Sequence, residues 1–322
     1  MTQAHTVDLV STPPPVRERL AWSALRLVQV FVTALPLPLA LWAGRRLGEL
    51  AYLLCYPRTR VALEQIRRAL GGSLARRAQR WAIWEMYRQF GQGMMEFLRL
   101  PHMAAHGDLE RLISVDGEEH LRAAFAQGKG VLILTAHYGN FELLATCFAA
   151  RGYQVNLVTR RLRNGILDRF WADQRRRLNI RAIFKNHSLK EVISRLRRNE
   201  AMGYVLDQNM GTDQGVFVQF FGRPACTMSA VAVLAKRFGS PVVPVFITRD
   251  PHHPSHHRIL FDAPLAFDAP PVSGQDEIVY QTQRYTAAIE RRVRERPDHW
   301  IWIHRRWKTR PRGEAEKEGG SV

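Results

Sequence analysis

The order of segments between Gly130 and Phe267 predicts an α/β protein. It has a mostly parallel central sheet flanked by helices, preceded by an N-terminal helical membrane-associating segment. Three observations carry this. "VLILT", residues 131–135, is apolar at four consecutive positions and uncharged throughout, as a strand covered on both faces is. Strand-like runs and amphipathic runs of helical length then alternate along the chain. Finally, "LVQVFVTALPLPLALWA", residues 27–43, holds no charge at all.

The elements follow in order. Arg17, Arg19 and Arg26 precede the apolar stretch and Arg45 and Arg46 follow it. Its length approaches the ~20 residues of a spanning helix, but Pro36 and Pro38 interrupt it, and basic flanks on both sides argue against a clean crossing. It reads as a membrane anchor that spans or lies in the membrane; the alternative is two core helices broken at the prolines. A cleaved signal peptide is disfavoured, because the apolar part starts late, after "STPPPVRERL", and lacks a small-residue cleavage site.

Helices are expected over 60–70 and 74–100, where apolar residues recur at three- and four-residue spacing. "GEEHLRAAFAQGKG" is a short helix closed by Gly128. After the strand "VLILT" come the helix "FELLATCFAARG", the strand "YQVNLVT" and a helix from about 165 to 178. The strand "IRAIF", the helix "SLKEVISRLRRNE" and the strand "AMGYVLD" follow. A helix over 227–238, strands in "PVVPVFIT" and "HRILFDAPLAF", and a last helix over 276–296 complete the series. The division expected is a flexible N-terminus (1–19), a hydrophobic membrane anchor (20–56), an α/β catalytic domain (57–311) and a disordered tail (312–322).

The 322 residues are 46% hydrophobic, enough for one large core. The net charge of +18 points to acidic partners. It is concentrated: residues 160–198 carry 13 Lys/Arg and 3 acids, residues 284–312 carry 10 and 3. Nucleic acid, an anionic membrane face, a phosphorylated substrate or an acidic carrier protein all fit such runs, as does a merely solvated basic helix. Cys55, Cys147 and Cys226 are far apart with no CxxC, which reads as reduced thiols facing the cytosol.

The chemistry concentrates where "VLILT" runs into "AHYGNFE". Ligands of open α/β sheets bind beyond the carboxyl ends of the strands. His137 falls at that edge, and Asp207, at the end of "AMGYVLD", could converge on the same crevice. Residues five apart on one helix do not meet. His137 and Glu142 can therefore cooperate only if the chain turns at Gly139–Asn140, where glycine permits it. Glu142 would then hold one imidazole nitrogen while the other acts as general base. Chance alone supplies about one such spacing among 12 histidines and 29 acids. His257 and Asp262 share it, but in a strand-like alternation that points them apart. The alternative at His137 is an ordinary polar strand-to-helix turn.

No nucleophile stands out. There is no G-x-S-x-G elbow, Ser188, Ser194, Ser229 and Ser240 lack a surrounding motif, and Cys147 reads as a packed thiol. A base without an enzyme nucleophile fits direct attack by an activated hydroxyl. "HHPSHH", residues 252–257, lacks carboxylates and reads as a loop before a metal site.

Four ordered blocks resemble the lysophospholipid acyltransferase superfamily, in particular the late (lauroyl/myristoyl-type) acyltransferases of lipid A biosynthesis. "AHYGNFE" is similar to the family's His-x4-Glu block. "VTRRLRNGILDRF" is similar to a second, placing Arg160 and Asn164. "DQNMGTDQGVFVQFFGRPACT" is similar to a third, matching Asp207, Gln208, Gly215, Phe221, Gly222, Pro224 and Thr227. "IWIHRRWKTRP" is similar to its C-terminal signature. The likeness covers residues 20–311, with one departure: Ala230 stands where the family has a glycine-containing turn.

The resemblance implies transfer of an acyl chain from acyl carrier protein, or acyl-coenzyme A, to a hydroxyl of a phosphorylated lipid A precursor. The place implied is the cytoplasmic face of the inner membrane, with no cofactor and no metal. His137 would be the base and Glu142 its partner, while Asp207 would position Arg160 or its loop. Arg160 and backbone N–H groups near Gly139 would face the thioester oxygen. Asn140, Asn164, Gln208, Gly222 and Thr227 would complete the substrate-binding set. Arg305, Arg306, Trp307 and Lys308, with Trp300 and Trp302, would contact membrane or phosphate; for the two tryptophans, packing on the core is the alternative.

Three rivals remain: an acyltransferase for a lysophospholipid, glycolipid mannoside or ornithine lipid; a nucleic-acid-binding protein, for which no RNP, KH, zinc-finger or helix-turn-helix signature is found; and an inactive membrane scaffold.

Overall fold

The computed structural model describes residues 16–184 and 188–313, so the expected flexible N-terminus and tail lie mostly outside the described residues. Residues 16–19, placed in that flexible stretch, are already helical.

Four helices lead: α1 (Val16–Ala34), α2 (Leu37–Leu54), α3 (Tyr56–Leu70) and α4 (Arg76–Ala105). Pro36 stands at the break that divides the apolar stretch into α1 and α2, while Pro38 sits in the first turn of α2, where its missing N–H costs nothing. Both pack on the rest of the protein. A Cβ at Gly91 of α4 would lie 2.1 Å from the Gly44 carbonyl oxygen, so the α2–α4 backbones touch only because that side chain is absent. Arg99 reaches from α4 to the carbonyls of Val32, Thr33 and Leu35 at the end of α1, and Arg26 pairs with Asp173. Among the described residues no helix is long and apolar enough to cross a membrane.

The chain continues with α5 (Asp108–Leu112), β1 (Ile113–Asp116), α6 (Glu118–Ala126), β2 (Val131–Thr135), α7 (Phe141–Ala150), β3 (Val155–Thr159) and α8 (Gly165–Arg177). Next come β4 (Ile180–Phe184), α9 (Ser188–Arg197), β5 (Ala201–Val205), β6 (Gly215–Phe220), β7 (Arg223–Met228) and α10 (Ala230–Phe238). The chain closes with β8 (Val242–Arg249), β9 (His257–Phe261) and α11 (Glu277–Glu295). A seven-stranded sheet has the order β1-β9-β8-β2-β5-β3-β4, parallel except for the β8–β9 pair.

The alternation of β2 splits the core in two. Leu132 and Leu134 face one apolar layer, Val131 and Ile133 the other, and all four are buried. β6 and β7 form a separate antiparallel hairpin. Because that hairpin takes residues 223–228, the helix expected from residue 227 starts at Ala230, where Ala230 needs no glycine-like backbone.

Candidate active site

The register of the two central strands builds the site. β2 pairs β5 in parallel from Val131↔Ala201 to Thr135↔Val205. Two residues past the last pair on each strand stand His137 and Asp207, side by side. Asp207 Oδ1 accepts from His137 Nδ1 at 2.8 Å, and Oδ2 accepts from the His137 backbone N–H at 3.0 Å. The Trp300 indole donates to the same Oδ2 at 2.6 Å. Asp207 is 3% exposed. With Nδ1–H bound to a carboxylate, the imidazole is held in the tautomer that leaves the Nε2 lone pair free to act. In this structure Nε2 faces the Gln208 amide nitrogen at 3.2 Å. The Phe141 ring meets the imidazole edge-on, at 5.1 Å between centroids.

Burial disfavours the imidazolium, but the Asp207 charge and hydrogen bond outweigh it, with Glu142 adding to them, so His137 titrates above its ordinary value. Asp207 is held below the usual carboxylate range: its burial opposes this, and His137, Trp300 and the backbone N–H overcome it.

Glu142 does not hold the imidazole. It sits in the first turn of α7 and faces α8, where it accepts from Trp171 Nε1 at 2.9 Å and from Arg175 Nη2 at 2.5 Å. The expected His137–Glu142 pairing is therefore corrected to His137–Asp207. Asp207 positions the imidazole and not Arg160, whose guanidinium lies 3.9 Å from Met210 Sδ.

The turn at Gly139 is as expected. Its φ is +57°, and a Cβ there would lie 2.0 Å from the Ile247 carbonyl oxygen. The Gly139 N–H, however, donates to the His299 carbonyl at 2.8 Å, so it is not free to bind an oxyanion. Asn140 caps α7 by accepting from Leu143 N, and its amide donates to Glu96. Asn164 caps α8 in the same way. Neither residue lines the cavity at His137.

An apolar cavity of about 280 Å³ opens at His137. Ile133, Thr135 and His137 line it at the two-residue repeat of a strand; Phe141, Leu144, Ala145 and Phe148 line it from one stripe of α7. That stripe covers about 10 Å at 1.5 Å rise per residue. Arg160, Arg175 and Gln208 stand in the same lining, among its polar groups.

The C-terminal segment clamps the turn from behind. Ile301 N–H donates to the His137 carbonyl, and Tyr138 bridges Trp300. Trp300, Trp302, Arg306 and Trp307 are buried, which overturns the reading of Arg306 and Trp307 as membrane or phosphate contacts and bears out the alternative of core packing for Trp300 and Trp302. Arg306 donates to the carbonyls of Gln208 and Cys226 and to Thr227 Oγ1, fixing the loop that carries Asp207; burial pushes it down to about 10. Arg305 and Lys308 are exposed. Thr227 is sealed beneath Arg306, and Gly222, at φ +67°, turns the β6–β7 hairpin; neither lines the cavity.

Sequence reasoning missed two contributors. Trp300 holds the Asp207 carboxylate, and Glu96 braces the turn. Glu96 is 1% exposed and binds Arg249 Nη2 at 2.6 Å, His257 Nε2 at 2.9 Å and Asn140 Nδ2 at 2.7 Å. His257 is thus bonded away from Asp262, which pairs with Arg291 and Arg292. Among the described residues no cluster of three or more His, Cys, Asp or Glu could hold a metal ion.

The pattern of the family described as bacterial lipid A biosynthesis acyltransferase matches residues 16–309. A lipid A biosynthesis palmitoleoyltransferase of Escherichia coli is 24% identical over 302 residues, covering 92% of this chain and 93% of that protein. A lipid A biosynthesis lauroyltransferase of the same organism is 25% identical over 295 residues, 91% and 93% of the two chains. A lipid A biosynthesis myristoyltransferase from it is 28% identical over 188 residues, 58% and 56%.

Proposed function

The chain belongs to the bacterial lipid A biosynthesis acyltransferase family and is an acyltransferase, and from that premise we propose a mechanism in which His137 deprotonates a hydroxyl of a lipid A precursor. The observation that carries this reading is the His137–Asp207 contact at the mouth of the apolar cavity.

The acceptor hydroxyl takes the place that Gln208 now fills at Nε2. As its oxygen attacks the carbonyl carbon of the donor thioester, Nε2 takes the proton, and Asp207 stabilises the imidazolium formed. The tetrahedral intermediate collapses with cleavage of the C–S bond, and the imidazolium returns the proton to the leaving thiolate. The new ester leaves with the acceptor. Arg160 and Arg175, in the cavity lining, are the cations nearest to hand for the oxyanion. The slot along α7 takes the acyl chain, each buried methylene contributing about 0.8 kcal/mol.

The donor is acyl carrier protein or acyl-coenzyme A, drawn to the exposed arginines around the cavity, Arg160, Arg161 and Arg163. The enzyme rests on the cytoplasmic face of the inner membrane through α1 and α2. Leu27, Val30, Phe31, Trp42, Leu50 and Leu54 expose 49–72% of their surface there, an apolar area of the kind that lies in a bilayer interface.

Mass spectrometry of lipid A from cells lacking the protein tests the function: one secondary acyl chain is expected to disappear. Unchanged lipid A, with an altered phospholipid or ornithine lipid pool, would refute the acceptor. Unimpaired transfer by folded His137→Ala protein would refute the base.

A further inference from the structure

Outside the catalytic cavity, α3 and α4 enclose a second groove of about 530 Å³, and its lining holds Arg60, Arg67, Arg76 and Arg80. On α3, positions 60, 63, 64 and 67 follow helical spacing and share one face. On α4, residues 76 and 80 stand one turn apart across from them. All four arginines are exposed, and among the described residues none of them forms an ion pair. The one carboxylate in the lining, Glu64, is taken by Arg68 at 2.5 Å.

Four like charges gathered in a concave site repel one another. Packing does not require them there, since Ile66, Leu70 and Ile83 supply the buried contacts of these helices. Such a cluster is completed by an anion, and guanidinium forks match the oxygens of phosphate bidentately.

The surroundings point to the source of that phosphate. Tyr56 stands one turn before Arg60 on the same stripe and is 67% exposed; Leu53 and Leu54, just ahead of it, are 63% and 72% exposed. The groove therefore opens beside the apolar end of α2. We infer that Arg60, Arg67, Arg76 and Arg80 bind the phosphate headgroup of an anionic lipid at the membrane surface. This is a site apart from catalysis. Arg80 precedes Gly93, which abuts Asn140 beside the catalytic turn, by 13 residues of α4, about 20 Å at 1.5 Å per residue. Gripping a headgroup there fixes the orientation of the whole enzyme while leaving the cavity free.

The inference rests on the membrane seating of α1 and α2 proposed above, and vesicle sedimentation of the full chain separates the two. Vesicles of phosphatidylcholine alone are compared with equimolar phosphatidylcholine and phosphatidylglycerol. Wild type is expected on both, more strongly on the second. The variant Arg60→Gln/Arg67→Gln/Arg76→Gln/Arg80→Gln, its fold checked by circular dichroism, keeps the phosphatidylcholine binding. It loses on the order of 10³-fold of its partitioning to anionic vesicles, given what four basic residues contribute at such surfaces. A charge-matched control, Arg122→Gln/Arg151→Gln/Arg197→Gln/Arg198→Gln, keeps wild-type behaviour.

An undiminished preference in the groove variant, or an equal loss in the control, overturns the site. Wild type that ignores phosphatidylcholine vesicles overturns the seating instead. Inorganic phosphate titrated calorimetrically into the full chain covers the soluble source. Saturable binding lost in the groove variant, with vesicle preference intact, overturns the lipid assignment.

Discussion

Replacing Asp207 with asparagine separates the carboxylate that the structure places on the base from the one the motif spacing favours. The carboxylate accepts three hydrogen bonds, from His137 Nδ1, the His137 N–H and Trp300 Nε1. An amide carries no charge and has one acceptor oxygen; placed at Oδ2, it loses the His137 Nδ1 bond and the charge assistance of the other two, together equivalent to about two charge-assisted bonds. At 1.5–3 kcal/mol each they amount to about 3–6 kcal/mol, spread over orientation, tautomer and imidazolium stability. At 1.36 kcal/mol per decade, kcat falls roughly 10² to 10⁴-fold.

The pH profile gives the sharper readout. The raised His137 value means protonation is favoured in the folded enzyme. The stability this contributes is present at low pH and lost as pH rises through the raised value. The neutral base, and with it kcat/KM, appears over that same window. In Asp207→Asn the raising charge is gone and burial remains, so the ascending limb moves to lower pH. Glu142→Gln breaks the Arg175 ion pair and lowers activity, but it removes the smallest raising contribution and leaves the limb nearly in place. Steady-state acyl transfer between pH 5 and 9 measures both. An unmoved limb in Asp207→Asn together with a displaced one in Glu142→Gln would refute the assignment.

Three other outcomes are expected. Gln208→Ala removes a donor that stabilises neutral imidazole, so the ascending limb of kcat/KM moves to higher pH, opposite to Asp207→Asn. Ala145→Phe fills the slot beside Leu144 and Phe148, and competition between donors of different length should shift preference to chains about two methylenes shorter, by roughly tenfold. Glu96→Ala strands Arg249 in the core and frees Asn140; denaturant titration should show a loss of about 3–5 kcal/mol.

The fold was legible where local pattern and tertiary context agree. "VLILT" reads as a covered strand because its first four residues are all apolar, and it lies between two partners in the middle of the sheet. "GVFVQF" and "RPACTM" have weaker patterns, and their pairing rests on a left-handed turn at Phe221–Gly222 that local propensity does not announce. "IWIHRRW" misled for a physical reason. Tryptophan beside arginine suits a bilayer interface, yet the same pairing serves a core when the guanidinium's terminal N–H groups find backbone carbonyls. Arg306 does this against Gln208 and Cys226.

The partner of His137 was hidden for a different reason. Spacing along the chain singles out Glu142, five residues on, whereas the contact that forms is seventy residues away. It is set by a register in which position n of β2 faces position n + 70 of β5. Once two parallel strands are neighbours and end level, the residues just beyond their last pairs must emerge together, whatever lies between them in sequence. That makes Asp207 the geometric consequence of the sheet, and Glu142 the anchor of α7 to α8 through Trp171 and Arg175. The motif therefore records two jobs in one stretch: an imidazole aimed by the sheet, the base of the proposed mechanism, and a carboxylate that holds the helix forming one wall of its cavity. An exchange of Glu142 and Arg175, each for the other, tests the second job, because restoring the ion pair in reverse should recover part of the activity lost in either single variant. No recovery would place Glu142 in the chemistry itself.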